Sequence, residues 1–402
     1  MSSSKKKIVE NIFYVGVNDR EKTLFENYLP LPQGVAYNSY LINDVQTALI
    51  DTVDVHFVGQ FLANVEYILQ GKPLDYLIIN HMEPDHAGSI GFVCQKYPNV
   101  KIVGNVKTFE MLKGYFGIDN QIHTVKEGDS ISLGEHQLSF FMAPMVHWPE
   151  VMVTYEQKTQ ILFSADAFGT FGTNDGGFMD TQLNTDKYWD EMRRYYACIV
   201  GKYGAPTQAA LKKLSALPIS FICSTHGPVW QKEIAKVVSL YDKWSKYEAQ
   251  KEGVVIAYGS MYGHTMQMAE AVCEGVIAGG VKDAIIYNVS KTDTSFILSD
   301  IFQYNGLIIG SPTYNTELFP LIETLVHQIE HRGIKNKVYS CFGSYSWHGN
   351  AVNILTQLAQ KLNWQMVSPT VENKHALSQD KEKQCFALGQ AVAEKLKVVS
   401  IA

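Results

Sequence analysis

From Val254 onward, short apolar runs alternate with longer stretches of helical pattern, and that alternation leaves few folds open. The runs are Val254 to Tyr258, Ala284 to Tyr287, Leu307 to Ile309, Val338 to Phe342 and Met366 to Val371. They are too uniformly apolar for strands with one wet face, and too short for helices. Thr265 to Ala278, Ser295 to Gln303, Phe319 to Glu330, Asn350 to Leu362 and Lys381 to Leu396 have the longer helical pattern. Five strands alternating with five helices predict one doubly wound α/β unit with a five-stranded parallel sheet. In such a sheet, ligands sit beyond the carboxyl ends of the strands. Three loops reach that edge: Gly259-Ser260-Met261-Tyr262-Gly263-His264-Thr265, Gly310-Ser311-Pro312-Thr313-Tyr314-Asn315 and Gly343-Ser344-Tyr345-Ser346-Trp347-His348-Gly349. The first places small and hydroxylated residues just before a helix, where backbone N–H groups and the helix dipole can cradle a phosphate. It is neither a Walker loop nor a G-x-G-x-x-G fingerprint, and a plain strand-to-helix turn would look the same.

Upstream, helical pattern runs from Glu233 to about Gln250, and Glu252-Gly253 interrupts it. The expected domains are therefore 1–250 and 251–402. The first is strand-rich: Ile12 to Val17, Tyr37 to Ile42, Thr47 to Asp51, Tyr76 to Ile79, Lys101 to Gly104, then hairpin-like pairs at Ser130 to Leu133 with Gln137 to Ala143 and Val151 to Tyr155 with Gln160 to Ser164, and finally Ser220 to Cys223. Helical pattern covers Phe57 to Leu69, Ala87 to Tyr97 and Lys107 to Tyr115. Many strands and few helices suggest two packed sheets with helices outside.

One loop of this segment is exceptional. His81-Met82-Glu83-Pro84-Asp85-His86 packs four metal-capable side chains into six residues, between an apolar strand and a helix. Imidazole is a borderline ligand, and carboxylates are hard anionic ones that can bridge two cations. A polar loop with Asp85 capping the helix is the alternative. His147, Asp166 and His226 each follow the end of a probable strand, where a rigid sheet can aim loop residues at one point. Alone, each reads equally as a hydrogen-bonded turn residue; together with the first cluster they form a candidate site.

The pattern His-x-x-x-Asp-His, then His, Asp and His at long intervals, resembles the metallo-β-lactamase superfamily, whose fold is an αββα sandwich. Most hydrolases of that superfamily carry His where this chain has Glu83. His81-x-Glu83-x-Asp85-His86 with His147, Asp166 and His226 is similar to the flavodiiron proteins. The second half resembles flavodoxin, and the two halves cover nearly the whole chain. A carboxylate in place of an imidazole makes the site harder and more anionic, which suits iron better than redox-silent zinc.

The resemblance implies one iron at His81, Glu83 and His147, another at Asp85, His86 and His226, and Asp166 bridging them. Many relatives have a His after Phe in the N-terminal loop; here Phe25 is followed by Glu26, which replaces that His or points away. Tyr195 and Tyr196 are candidates to line the same pocket, or core tyrosines of a helix. FMN is implied with its phosphate at Ser260, Met261, Tyr262, Gly263, His264 and Thr265. Its ring is implied at Ser311, Pro312, Thr313, Tyr314 and Asn315 and at Ser344, Tyr345, Ser346, Trp347 and Gly349. Implied activities are reduction of O2 to water, of NO to N2O, or both, in a head-to-tail homodimer or a dimer of dimers that brings one chain's FMN beside the partner's irons. A metal-dependent hydrolase with a regulatory flavodoxin-like domain is the competing reading.

Composition limits the partners. A net charge of −6 gives no general reason to expect nucleic acid or an anionic membrane. No apolar run approaches a membrane span of about 20 residues, and the polar start Ser2-Ser3-Ser4-Lys5-Lys6-Lys7 is unlike a secretory signal. The six scattered cysteines include no C-x-x-C pair, so no rubredoxin module is expected, and the electrons are expected from an external rubredoxin or reduced F420. Reduced thiols in a cytoplasmic protein are the expectation.

Overall fold

The computed structural model describes residues 6–401. They form two compact units, one of residues up to Tyr196 with Ala205–Asp242, the other of Ala197–Gly204 with the chain from Lys243 onward.

The first unit contains two main sheets. The seven-stranded sheet runs, in spatial order, Lys7–Val9, Ile12–Tyr14, Tyr40–Asn43, Thr47–Ile50, Tyr76–Ile78, Lys101–Gly104 and Ile122–Thr124. Its first four strands are antiparallel neighbours, and the last three join in parallel. The five-stranded sheet runs Ser130–Ser132, Gln137–Met142, Met152–Glu156, Ile161–Phe163 and Phe221–Cys223, antiparallel until the last, parallel pair. Ile12, Ile42, Ile50 and Ile78 of the first sheet share one buried core with Leu138, Phe140, Ile161 and Phe163 of the second, so the sheets pack face to face. Helix Val58–Leu69 shows how the outer elements are built: Phe61, Val65, Ile68 and Leu69 recur on one helical face and are buried. Each contributes about 1.5–3 kcal/mol. The helix stops at Gln70, which is left-handed at φ 50°, and Gly71 continues at φ 88°.

The structure departs from the sequence reading in places. Ala87 to Tyr97 is not one helix: Pro84–Ala87 and Ile90–Lys96 are separate pieces. Helix Gly204–Leu214 was not among the expected elements, and Asp186–Tyr195 was expected only as a helix bearing Tyr195, without bounds.

The second unit has strand order Ala284–Asn288, Lys251–Tyr258, Tyr304–Pro312, Val338–Tyr345, all parallel. The expected fifth strand is two short ones, Gln365–Met366 and Val371–Lys374, both pairing with Val338–Tyr345, which makes six strands. The gap falls at Pro369, which has no N–H for the ladder. Gly253 does not break the chain but lies within its strand, beside a register irregularity; a Cβ there would meet the Tyr304 ring at 2.1 Å. Chain order reverses direction between strands Lys251–Tyr258 and Tyr304–Pro312, which makes their carboxyl ends the switch point of the sheet. No described helix is long and apolar enough to cross a membrane.

Candidate functional site

His81, Asp166 and His226 are each the third residue past a buried strand, after Ile78, Phe163 and Cys223. Ile161–Phe163 and Phe221–Cys223 are parallel neighbours, so Asp166 and His226 leave the sheet at the same edge. The one-turn helix Pro84–Ala87 turns Asp85 and His86 into the interior. His147 arrives on the loop after Gln137–Met142.

All seven side chains are buried and fall into two groups, His81, Glu83, His147, Asp166 and Asp85, His86, His226. Within each group the candidate ligand atoms lie within 4.8 Å of one another. His147 Nε2 stands 3.1 Å from both Glu83 Oε2 and Asp166 Oδ2. His81 Nε2 is 3.3 Å from the same two oxygens. On the other side, His86 Nε2 is 3.3 Å from Asp85 Oδ2 and 3.1 Å from Asp166 Oδ1. His226 Nε2 is 3.3 Å from Asp85 Oδ2. Asp166 thus offers one oxygen to each group.

Charge in this site is strongly coupled. Burial opposes protonation of His81, but the Asp166 charge and hydrogen bonds to Asp166, Glu150 and Glu83 outweigh it and hold the imidazole well above its ordinary range. Burial is likewise overcome at His86, by Asp85 and Asp166, and at His147, by Asp166 and Glu83; both rise to about 9. Burial would raise the Asp166 carboxyl, yet His86 and His81 pull it well below the carboxylate range. The same cluster that favours protonated imidazoles favours a cation, and a metal would bind in competition with protons.

The donor set fits such ions. Both carboxylate oxygens of Asp85, and Nε2 of His86 and of His226, are buried without a hydrogen bond. Buried polar atoms left in that state are costly unless a further group satisfies them. Four imidazoles and three carboxylates without a thiolate form a nitrogen–oxygen set suited to iron. Residues beyond the expected set aim the ligands. Glu150 Oε1 meets His81 Nδ1 at 2.8 Å and accepts Met82 N–H at 2.9 Å, and Ala36 O meets His226 Nδ1 at 2.8 Å. These contacts leave the Nε2 atoms facing inward. Glu150 escaped the sequence reading; an acid amid the apolar residues before strand Met152–Glu156 was its only signal.

Of the expected pocket residues, Tyr195 reaches the cluster, its ring 5.4 Å from that of His226. Tyr196 instead packs edge-on against Tyr241 at 5.0 Å. Glu26, at φ 48°, is exposed over part of its surface, while its carboxyl is partly covered beside Glu83. Burial of the acid group and the Glu83 charge push it up to about 7.

In the second unit, a cavity of about 590 Å³ opens at the switch point. Met261, Tyr262, His264, Thr265, Pro312, Thr313, Tyr314, Asn315, Ser344, Tyr345, Ser346 and Trp347 line it, with His348 of the same third loop, joined by Thr316, His375 and Ala376 from outside the expected loops. Ser260, Gly263, Ser311 and Gly349 do not line it. Ser260 Oγ accepts the Gly263 N–H, and buried Ser311 Oγ accepts the Phe319 N–H. Gly349 stands where a Cβ would meet the Glu372 carboxylate at 2.7 Å. Gly263, at φ 95°, starts helix His264–Ala278 with no side-chain cap, so its first N–H groups remain for an anion. The size and the uncapped helix start fit a flavin mononucleotide.

Comparison with known proteins agrees with both halves. A model of the "ODP family beta lactamase" matches residues 35–227, and a flavodoxin model matches residues 256–389. The chain is 31% identical over 394 residues to a nitric oxide reductase of Moorella thermoacetica, spanning 97% of this chain and 98% of that protein. It is 34% identical to the anaerobic nitric oxide reductase flavorubredoxin of Pectobacterium atrosepticum, over 89% of this chain and 73% of that protein. The rubredoxin oxygen:oxidoreductase of Desulfovibrio gigas superposes with a TM-score of 0.94 at 28% identity, covering 99% of this chain and 100% of that one.

The chain belongs to the flavodiiron family. It is an oxidoreductase whose cofactors are FMN, in the flavodoxin-like unit, and a diiron centre formed by His, Asp and Glu side chains. The hydrolase reading falls with this membership, and Glu83 had already weighed against it.

Proposed function

We propose that this flavodiiron chain reduces nitric oxide to nitrous oxide, and O2 to water, with electrons delivered to FMN by an external donor such as rubredoxin or reduced F420. The observation that carries the reading is Asp166, whose two oxygens face the two groups separately, at 3.1 Å from His147 Nε2 and 3.1 Å from His86 Nε2. In this reading His81, Glu83 and His147 hold one iron, Asp85, His86 and His226 the other, and Asp166 spans them. Bound there, two irons supply adjacent redox-active Lewis-acid positions, and FMN supplies electrons singly or in pairs. Glu83, Asp85 and Asp166 offset the metal charge, while Glu150 and the Ala36 carbonyl hold His81 and His226 in the ligating tautomer. Coupling two NO molecules takes two electrons, and reduction of O2 to two waters takes four. The relatives named as nitric oxide reductases support the first, and the Desulfovibrio neighbour supports the second.

The reading includes a head-to-tail homodimer or a dimer of dimers, and a reducing, cytoplasmic setting, with which six free thiols agree. The test is to feed anaerobic, iron-loaded protein with excess reduced rubredoxin and to follow NO and O2 at matched concentrations on electrodes. Consumption of NO with N2O as product supports the proposal. A fully reduced flavin with neither gas consumed would refute it.

A further inference from the structure

Inside the first unit lies a small, mostly apolar cavity of about 20 Å³ that none of the seven candidate ligands lines. Val146 and Ala167, the chain neighbours of His147 and Asp166, line it. Thr207, Ala210 and Leu211 of helix Gly204–Leu214 line it as well, as do Phe168 and Tyr241, whose rings are 4.6 Å apart. The volume exceeds the roughly 10–15 Å³ that one water-sized molecule needs. Most of its lining is apolar, and of its hydroxyls Ser164 Oγ donates to Ala167 O at 2.7 Å. A water there would have few partners, and apolar cavities of this kind stay dry and take up apolar gases.

The cavity is not isolated. Phe168, Leu211 and Leu214 also line a surface groove of about 310 Å³, continued by Leu217, Ile219 and Val238. The cavity and the groove share the side chains of Phe168, Leu211 and Leu214, which stand between solvent and the residues adjoining His147 and Asp166. Ions and strongly hydrogen-bonded solutes lose solvation among such side chains, at a cost of about 2–7 kcal/mol per polar group. Neutral diatomic molecules have almost no hydration to lose.

We propose that this cavity is a holding site for a diatomic gas, filled through the Leu211–Leu214 groove and lying next to the metal ligands. The inference rests on the gas-reducing function proposed above; the gas-binding half of it is tested separately from that function. It names a supply route, and no bond is made or broken in the cavity.

The experiment uses crystals of the FMN- and iron-loaded protein pressurised with krypton, together with steady-state NO kinetics in solution. Krypton density is expected between Val146, Ala167 and Leu211. Ala210→Leu, which fills the cavity, should remove that density and raise the KM for NO about tenfold with kcat within about twofold, the signature of lost binding ahead of chemistry. Ala210→Val, a smaller filling, should act in the same direction if the Leu variant loads iron poorly. Leu211→Ala, which widens the passage, should keep the krypton and leave KM no higher than in the parent. An ordered water in place of krypton would overturn the proposal. So would loss of krypton from Ala210→Leu with KM unchanged within about twofold. Krypton bound in a protein that consumes no gas would refute the proposed function and the supply role, not the gas site.

Discussion

Glu150→Gln separates an aimed ligand from a merely adjacent one. Glu150 Oε1 lies 2.8 Å from His81 Nδ1, and both side chains are fully buried. Burial opposes the Glu150 charge, but its hydrogen bond to His81 and the His81 charge keep the carboxyl below its ordinary value. Glutamine keeps the shape and the Met82 N–H acceptor but loses the charge. A charge-assisted hydrogen bond is worth about 1.5–3 kcal/mol against about 0.5–1.5 for a neutral one, so about 1–1.5 kcal/mol is at stake. At about 1.4 kcal/mol per decade that is close to tenfold in metal affinity. Loss of the fixed tautomer extends the expected range to about 10–100-fold. The assay is competition of metal-free protein with a chelator of known affinity, read as two binding steps. Only the group containing His81 should weaken; the Asp85, His86 and His226 group should bind as in the parent. Equal weakening of both steps, or of neither, would refute the argument.

Three further perturbations follow from the same geometry. Asp166→Ala removes the one carboxylate shared by the two groups, so iron per chain should fall below two while FMN remains bound; metal analysis beside flavin absorbance gives the answer, and two irons retained would mean that Asp166 does not bridge. Gly227→Ala places a Cβ 2.0 Å from Thr170 Cγ2 at a φ of +72°, directly after His226; a loss of about 2–4 kcal/mol in chemical denaturation is expected from overpacking plus left-handed strain, and a change under about 0.5 would show that the loop gives way. Lys337 is buried with Nζ donating to Ile301 O and Tyr304 O, and burial pushes its amine down to about 7. Between about pH 7 and 10 the unfolded chain then binds more protons than the folded one, so stability rises with pH. The stability of the parent relative to Lys337→Met should therefore grow, by up to about 3 kcal/mol, from neutral to alkaline urea titrations, and a flat difference would contradict this.

The parallel sheet was legible because strands buried on both faces read as unbroken apolar runs, and Val254 to Tyr258 and Leu307 to Ile309 were of that kind. Its last position was not, because Pro369 divides the pairing, and the loop after Val371–Lys374 then brings His375 and Ala376 into the flavin pocket unannounced. Helix Asp186–Tyr195 had its bounds hidden by its own chemistry. It buries Glu191, Arg193 and Arg194, with Arg194 Nη2 paired to Glu191 Oε2 at 2.6 Å, so its inner face does not look apolar. The seven candidate ligands were legible because strand ends carry them and the clustered motif is dense in donors. Glu150 and the Ala36 carbonyl were not, since a side chain or carbonyl that aims a ligand is set by tertiary contact rather than by spacing.

The most direct test of the central claim is a single turnover without any donor protein. Anaerobic, iron-loaded chain is reduced photochemically until FMN and metal are both reduced, then mixed with excess NO, while flavin absorbance and N2O are measured together. The account predicts flavin reoxidation with one N2O formed for every two electrons held, and loss of both signals in Asp166→Ala. Flavin that stays reduced with no N2O, in protein shown to hold two irons per chain, would contradict it.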